Sequence, residues 1–395
     1  MRILCLTSRL PYPPDRGDRL RAFHVLRTLA AEHQLTLLSF VESAAERRHL
    51  DQLRPFCRDV RVVERGRAAS LLSALGNAWR SQPLQVSYYR SAAMRSLVDG
   101  TLREGAFDAA YIHLFRMAPY LPPGRIPYRI LDFTDVISSE VRRSIRYRRL
   151  PSRAVWAVEC RRIERFERLA GAAADEVWLV SELERATLAG RCPGARLEVV
   201  ANGVDGERFH PGACAEDPRV LLLTGHLGVF HNVDAAVHLA EDVLPLVRRE
   251  VPDCRLRLVG ADPSPAVRRL ARRPGVEVTG WVADLNLELN RAAVFVAPLR
   301  FSAGVQNKLL EAMAAGRPVV TSPQAAAGIG AAPGRDLLVA VDAGTTARMV
   351  VDLLADPGLR RRLGDAGQAF VRERFSWRAA ADRVREIARR LAAAG

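Results

Sequence analysis

Lys308 and Glu311 stand three residues apart in "NKLLEAMAAG" (307–316), a spacing that puts both on one face of a helix. Lys308 is also the single lysine of the chain: of 59 Lys+Arg residues, the other 58 are arginine. One account of the survivor is chance in a sequence drifting towards arginine. The other is a site that needs a compact, strongly hydrated ammonium rather than a planar fork. The apolar run "AAVFVAP" (292–298) reads as a strand before it, and "LRFSAGVQ" (299–306) as the connecting loop. Backbone amides over Ser302–Gln306, including Gly304, Val305 and Gln306, with Asn307 opening the helix, would form an anion cradle. A cation beside that cradle and a carboxylate one turn deeper suit a nucleoside diphosphate. Lys308 would neutralise the diphosphate, and Glu311 would accept the ribose hydroxyls. The alternative is a plain i,i+3 surface ion pair, worth about 0.2–0.5 kcal/mol.

Such a site needs elements to hold it. Strand-like and helix-like segments alternate along most of the chain, which predicts an α/β fold with parallel sheets covered on both faces. A first series runs "RILCLT", "QLTLLSF", "DVRVVE", "FDAAYIH", "YRILDF", "DEVWLVS" and "LEVVANG". A second runs "RVLLLTG", "CRLRLVG", "VEVTG", "AAVFVAP" and "RPVVTS". Two series in 395 residues predict two doubly wound, Rossmann-like domains, 1–205 and 206–375. The turn-rich stretch 202–219 marks the boundary. The last segment, 376–395, is an amphipathic helix with Trp377, Ala381, Val384, Ile387 and Leu391 on one stripe and no strand after it. It must cover a sheet face or return to pack on the first domain, and the return is expected. Ligands of open α/β sheets bind beyond the carboxyl ends of the strands. This directs attention to Gly17, just before the first helix, where glycine lets a backbone approach a ligand and the helix start favours anions.

Other function classes are disfavoured. There is no G-x-G-x-x-G and no G-x-x-x-x-G-K-[ST], against a nicotinamide dinucleotide site and a P-loop. The six cysteines are scattered, without C-x-x-C or zinc spacing, so neither a metal nor a disulfide framework is expected, and a reducing, cytoplasmic setting is. The N-terminus is too quickly polar for a signal peptide, and no apolar run is long enough to span a bilayer. The net charge of +15 asks for an anionic partner. It is densest in 140–168, which lacks zinc-finger spacing or an aromatic RNA-binding pattern, so no nucleic acid is expected. Arg142, Arg143, Arg146, Arg148 and Arg149 could instead lie against an anionic membrane; a solvated helix face is the alternative.

"NKLLEAMAAGRPVVTS" resembles the donor-site helix of retaining, GT-B-fold glycosyltransferases of family 4, and "VANGVDGERFHP" the end of their N-terminal domain. "LLLTGHLGVFHNVDAAVHLAEDVLP" and "LRLVGADPSPAVRRLA", followed by "GVEVTGWVADL", resemble the opening of their second domain. "LTSRLPYPPDRGDRLRAFHVLRTLA", "LDFTDVISSE" and "ERFERLAGAAADEVWLVSELE" are similar to a subgroup, the sugar transferases of PEP-CTERM/exosortase polysaccharide systems. The resemblance covers nearly the whole chain. It implies a GT-B fold and a nucleotide-sugar donor, UDP- or GDP-linked, with no cofactor or metal. It implies a saccharide or polyprenyl-diphosphate-linked acceptor and a role in exopolysaccharide or envelope glycan synthesis. Residue by residue, it implies Glu311 at the ribose and Lys308 at the diphosphate. Gly17 would face the phosphates, Gly225 and His226 would follow the first strand of the second domain, and Trp281 and Val282 would read the base. His113 matches the active-site histidine only loosely; a plain loop histidine is the alternative.

Two departures stand out. Ala303 occupies the place of a second glutamate, eight positions before Glu311. His226 and His231 stand roughly where the family has Arg and Lys, which leaves Arg300 and Lys308 to neutralise the phosphates. Positive groups and helix-start amides would then stabilise the departing diphosphate. The sequence shows no D-x-D in a plausible loop, so metal-independent chemistry is expected, and Ala303 favours front-face retention over a covalent intermediate. Two other readings stay open: a nucleotide-sugar epimerase on the same fold, and a catalytically weak nucleotide-sugar binding protein.

Overall fold

The computed structural model describes residues 1–66, 76, 81–302 and 304–394. The chain divides into two units, Met1–Ala201 with Ala380–Gly395, and Asn202–Ala379.

The first unit is built on β1 (Arg2–Thr7), β2 (Gln34–Val41), β3 (Asp59–Glu64), β4 (Ala109–His113), β5 (Tyr128–Thr134), β6 (Glu176–Leu179) and β7 (Arg196–Val199). They form one parallel sheet in the order β3-β2-β1-β4-β5-β6-β7. The register is fixed at the centre, where Cys5 on β1 lies opposite Leu37 on β2 and Tyr111 on β4. Ile3 to Leu6 are all buried, as expected for a strand covered on both faces. Three helices matter below: α1 (Gly17–Ala30), α2 (Ile137–Ser144) and α3 (Ser152–Ala172).

The second unit carries β8 (Asp217–Thr224), β9 (Arg255–Val259), β10 (Val276–Gly280), β11 (Ala292–Ala297), β12 (Val319–Thr321) and β13 (Leu338–Val339). Their order is β10-β9-β8-β11-β12-β13, again parallel. Every residue of β11 is buried, and α4 (Asn307–Ala314) follows it. In both sheets the chain winds outward one way from a central strand, returns, and winds the other way. The reversal falls between β1 and β4 in one and between β8 and β11 in the other, and a crevice opens there at the carboxyl ends.

The final helix, α5 (Trp377–Ala394), leaves the second unit and ends in the first. Its stripe is real: Val384, Ile387 and Ala388 are buried in the cluster of Ile3, Cys5 and Trp178. Burying Val384 and Ile387 contributes about 3–6 kcal/mol together. Arg390 then pairs with Glu176 (2.6 Å) and Glu198 (2.9 Å), fixing the helix on the edge of β6 and β7.

Candidate functional site

Residues singled out from sequence gather at the reversal point of the second sheet. The loop after β8 begins with Gly225 (φ +145°), and the loop after β9 with Gly260 (φ +152°). A side chain on Gly260 would overlap the Gly225 carbonyl, so these loops come together as only glycine permits. A Cβ on Gly225 would lie 3.2 Å from Lys308 Cε. Lys308 itself is 9% exposed. Its Nζ donates to Asn232 Oδ1 at 2.6 Å and to Gln306 Oε1 at 3.2 Å. Asn232 Nδ2 donates in turn to the His226 carbonyl at 3.0 Å, so both ends of that amide are used. The loop after β8, Asn232 and the first turn of α4 thus form one bonded cluster around the ammonium.

Glu311 sits one turn further along α4 and forms no ion pair with Lys308. Its carboxylate is half-buried and has no hydrogen-bond partner among the described residues. Burial raises its pKa, and Arg208 first, then Lys308, oppose the rise. The arrangement is therefore not the surface ion pair weighed above: the ammonium is turned inward to amide oxygens, and the carboxylate keeps its acceptor sites open. Gln306 caps α4 without a side-chain bond, so no side chain of the cap residue competes for the first-turn amides. Gly304 (φ +57°) and Val305, which is buried, shape the approach, and Asn307 accepts from Asn202 at 3.3 Å.

Other candidates behave differently. Arg300 spends its fork on Asp234, with Nε 2.8 Å from Oδ2 and a second bond beside it. The positive charge assigned there to phosphate is already matched by a carboxylate. His226 accepts the Gly228 N–H on Nδ1 (3.3 Å) and places Nε2 3.0 Å from Asp262. Trp281 follows Gly280 (φ +74°) and is 74% exposed, a large aromatic face offered to solvent; Val282 beside it is partly buried. Ala303 lies outside the described residues.

In the first unit, Gly17 opens α1 and His113 closes β4, on the two sides of the β1–β4 reversal. Asp18, next to Gly17, pairs with Arg9 (2.7 Å) and Arg116 (3.7 Å). Burial would raise the Asp18 pKa, but Arg9, Arg116 and His113 outweigh it and hold it low. His113 is buried, stacks on Tyr111 and leaves Nε2 without a partner. Burial pushes its pKa down to about 4, against the pull of Asp132 and Asp18, so it is neutral at neutral pH. Asp132 accepts from Arg21 (2.7 Å) and Tyr111 (2.6 Å), a buried, fully engaged group behind the histidine. An imidazole with an unpartnered nitrogen at a strand's carboxyl end can exchange a hydrogen bond with a ligand. Of the arginines 142–149, Arg142 is taken by Glu164, while Arg148 covers the Trp156 ring at 4.1 Å and Arg146 the Tyr147 ring at 4.8 Å. Among the described residues no helix is long and apolar enough to cross a membrane.

Sequence reasoning missed Asn232 and Arg208. Both stand in stretches already marked, "FHNVDAA" and "NGVDGERFHP", but no local spacing ties either one to α4. Asp234, the partner that takes Arg300, was missed for the same reason.

With this geometry in hand, residues 218–356 match the profile of the family "Glycosyl transferases group 1". A GDP-mannose-dependent alpha-(1-6)-phosphatidylinositol monomannoside mannosyltransferase of Mycolicibacterium smegmatis is 32% identical over 242 residues, 54% of this chain and 62% of the relative. The chain thus spans about six tenths of that relative's length. Among solved structures, sucrose-phosphate synthase from Thermosynechococcus elongatus superposes with TM-score 0.72 at 17% identity, covering 100% of both chains. Anabaena HepE in complex with UDP gives 0.66 at 15% identity, covering 98% of this chain and 99% of that one. The architecture is the GT-B fold, and the second unit carries the sequence pattern of group 1 glycosyltransferases.

Proposed function

We propose that this protein is a retaining glycosyltransferase that moves a sugar from a nucleoside-diphosphate donor to a saccharide acceptor, without a metal ion. The observation that carries this reading is the Lys308 cluster at the reversal of the second sheet. It combines a nearly buried ammonium held by amide oxygens, an uncapped helix start and an unbonded carboxylate one turn away. The ammonium and the helix-start amides would stabilise charge growing on the leaving diphosphate, and Glu311 would accept from the ribose. Trp281 would stack on the base, and neutral His113 would bond to the sugar or acceptor.

Similarity to a GDP-mannose-dependent enzyme and to a UDP-bound structure supports a sugar nucleotide of either base as donor. Since that mannosyltransferase is named for a phosphatidylinositol-linked acceptor, similarity to it also supports a lipid-linked acceptor, here a polyprenyl-diphosphate saccharide. Work at the cytoplasmic face of a membrane, in exopolysaccharide synthesis of the PEP-CTERM kind, completes the reading. The test is thermal unfolding with a panel of UDP- and GDP-sugars, then turnover with and without lipid-linked saccharide in EDTA. A tight donor at a hundredfold excess over Kd should stabilise the fold by about 2.7 kcal/mol. Donor consumption without acceptor would point to epimerisation, binding without turnover to a binding protein, and loss in EDTA restored by Mg²⁺ would overturn the metal-free mechanism.

A further inference from the structure

On α3, Arg161, Arg165 and Arg168 follow at i, i+4 and i+7 and so share one face. All three are exposed, and none of their guanidinium groups has a hydrogen-bond or ion-pair partner among the described residues. Like charges at this spacing destabilise a helix. Some other exposed helical arginines are matched by carboxylates three residues away: Arg185 with Glu182, Arg383 with Glu386, Arg385 with Asp382. The α3 stripe lacks that matching.

These arginines line an open cleft of about 420 Å³ together with Arg142 of α2 and Arg191. Two of the walls are fixed. Arg191 donates to Ser138 Oγ at 2.5 Å and to the buried Glu167 at 3.4 Å, and Arg142 Nε donates to Glu164 at 3.0 Å. Glu164 lines the cleft and Glu167 stands behind Arg191, so five guanidinium groups meet two carboxylates, a formal excess of three positive charges (five minus two). Two anchored and three uncommitted forks around one opening suit a multiply charged oxyanion, because each fork can donate two parallel bonds to phosphate oxygens.

We propose that this cleft is a binding site for a phosphate-bearing anion. It shares no residue with the Lys308 cluster, is built wholly from the first unit and does not depend on the function proposed above. The phosphate could belong to a soluble diphosphate compound or to a lipid headgroup. Val158 and Leu169, exposed on the same helix, give the second source an apolar contact as well.

The probe for the first source is inorganic pyrophosphate, titrated calorimetrically at low salt. The Lys308→Ala background removes the ammonium of the other proposed diphosphate site. Arg165→Gln/Arg168→Gln should weaken binding by about tenfold or more. Glu164→Gln should strengthen it. Arg361→Gln/Arg362→Gln, which removes the same charge from an exposed helix of the second unit, should change it less than about twofold. Circular dichroism checks that each variant is folded. Phosphatidylcholine vesicles with and without phosphatidic acid, in a sedimentation assay with the same variants, probe the lipid source. Pyrophosphate binding that depends on the cleft, without vesicle binding, assigns a soluble ligand; vesicle binding that depends on the cleft assigns a headgroup. Equal losses in the cleft and control variants, or binding to neither probe, would overturn the proposal.

Discussion

Lys308→Arg keeps the charge and changes only the shape, so it separates a phosphate site from a generic cation. Lys308 Nζ already lies 2.6 Å from Asn232 Oδ1, and its Cε would touch any atom added at Gly225. The side chain is 9% exposed, so a planar guanidinium must displace Asn232 or Gln306 or turn away from the cluster. Overpacking of this kind costs about 1–3 kcal/mol. If about 1.4 kcal/mol of it is felt in the transition state, kcat/KM falls about tenfold. The loss should appear in kcat more than in KM, because charge aimed at a leaving group acts chiefly as that group departs. Lys308→Ala should cost about a hundredfold or more, since it removes the charge itself. The assay is release of nucleoside diphosphate under steady-state conditions with the donor found by the panel, alongside thermal unfolding of each variant. An arginine variant as active as wild type would refute the reasoning and leave the single lysine an accident of codon drift.

Glu311→Gln keeps the shape of the half-buried side chain and removes an unpaired charge, so calorimetry should show weaker donor binding with stability unchanged or slightly raised; equal affinity would remove Glu311 from the ribose. Gly260→Ala should lower stability in urea by about 2 kcal/mol or more, because the new methyl meets the Gly225 carbonyl at a strained φ. Gly206→Ala, in open space, should stay within about 0.5 kcal/mol, and equal effects of the two would refute the close-approach argument. His113→Gln tests the buried imidazole by pH. The folded pKa of about 4 lies below the unfolded value of roughly 6.5, so the unfolded chain binds the extra proton between them. His113 therefore contributes stability above about pH 6.5 that is lost as pH falls towards 4, by up to about 1.4 kcal/mol per unit. Glu167, raised to about 7, acts with the opposite sign, but it is present in both proteins and cancels in the difference. Parallel stability curves for wild type and His113→Gln would contradict the assignment.

The sheets were legible because parallel strands are buried on both faces and read as continuous apolar runs; "AAVFVA" is buried at every position. β13, with two residues, carries too little pattern to read. The stripe on α5 was legible for the same kind of reason, three turns of one face meeting a core. What escaped were long-range polar partners. Asn232 lies 76 residues from Lys308, and Asp234 lies 66 from Arg300. Periodicity reports which face a side chain is on, not which distant amide or carboxylate waits there. Arg300 shows the consequence: its type and place suggested phosphate, and a carboxylate from a helix 66 residues earlier had already taken its fork.

The same limit bears on the pairing of Lys308 with Glu311. The i,i+3 rule describes exposed helices, where two charged side chains have only each other and water. On α4 the lysine is drawn inward by Asn232 and Gln306, whose oxygens are neutral dipoles, so they orient the ammonium without cancelling its charge. Had Glu311 closed on Lys308, the pair would present little net field to an anion. Kept apart, one residue supplies positive charge at the helix start, and the other supplies acceptors a turn away. The separation costs something, since Glu311 is held partly desolvated and unbonded, with its pKa raised. Unsatisfied groups of this kind persist where a ligand completes them. The nucleoside diphosphate proposed here, negative at one end and rich in hydroxyl donors at the other, has the polarity that would complete both.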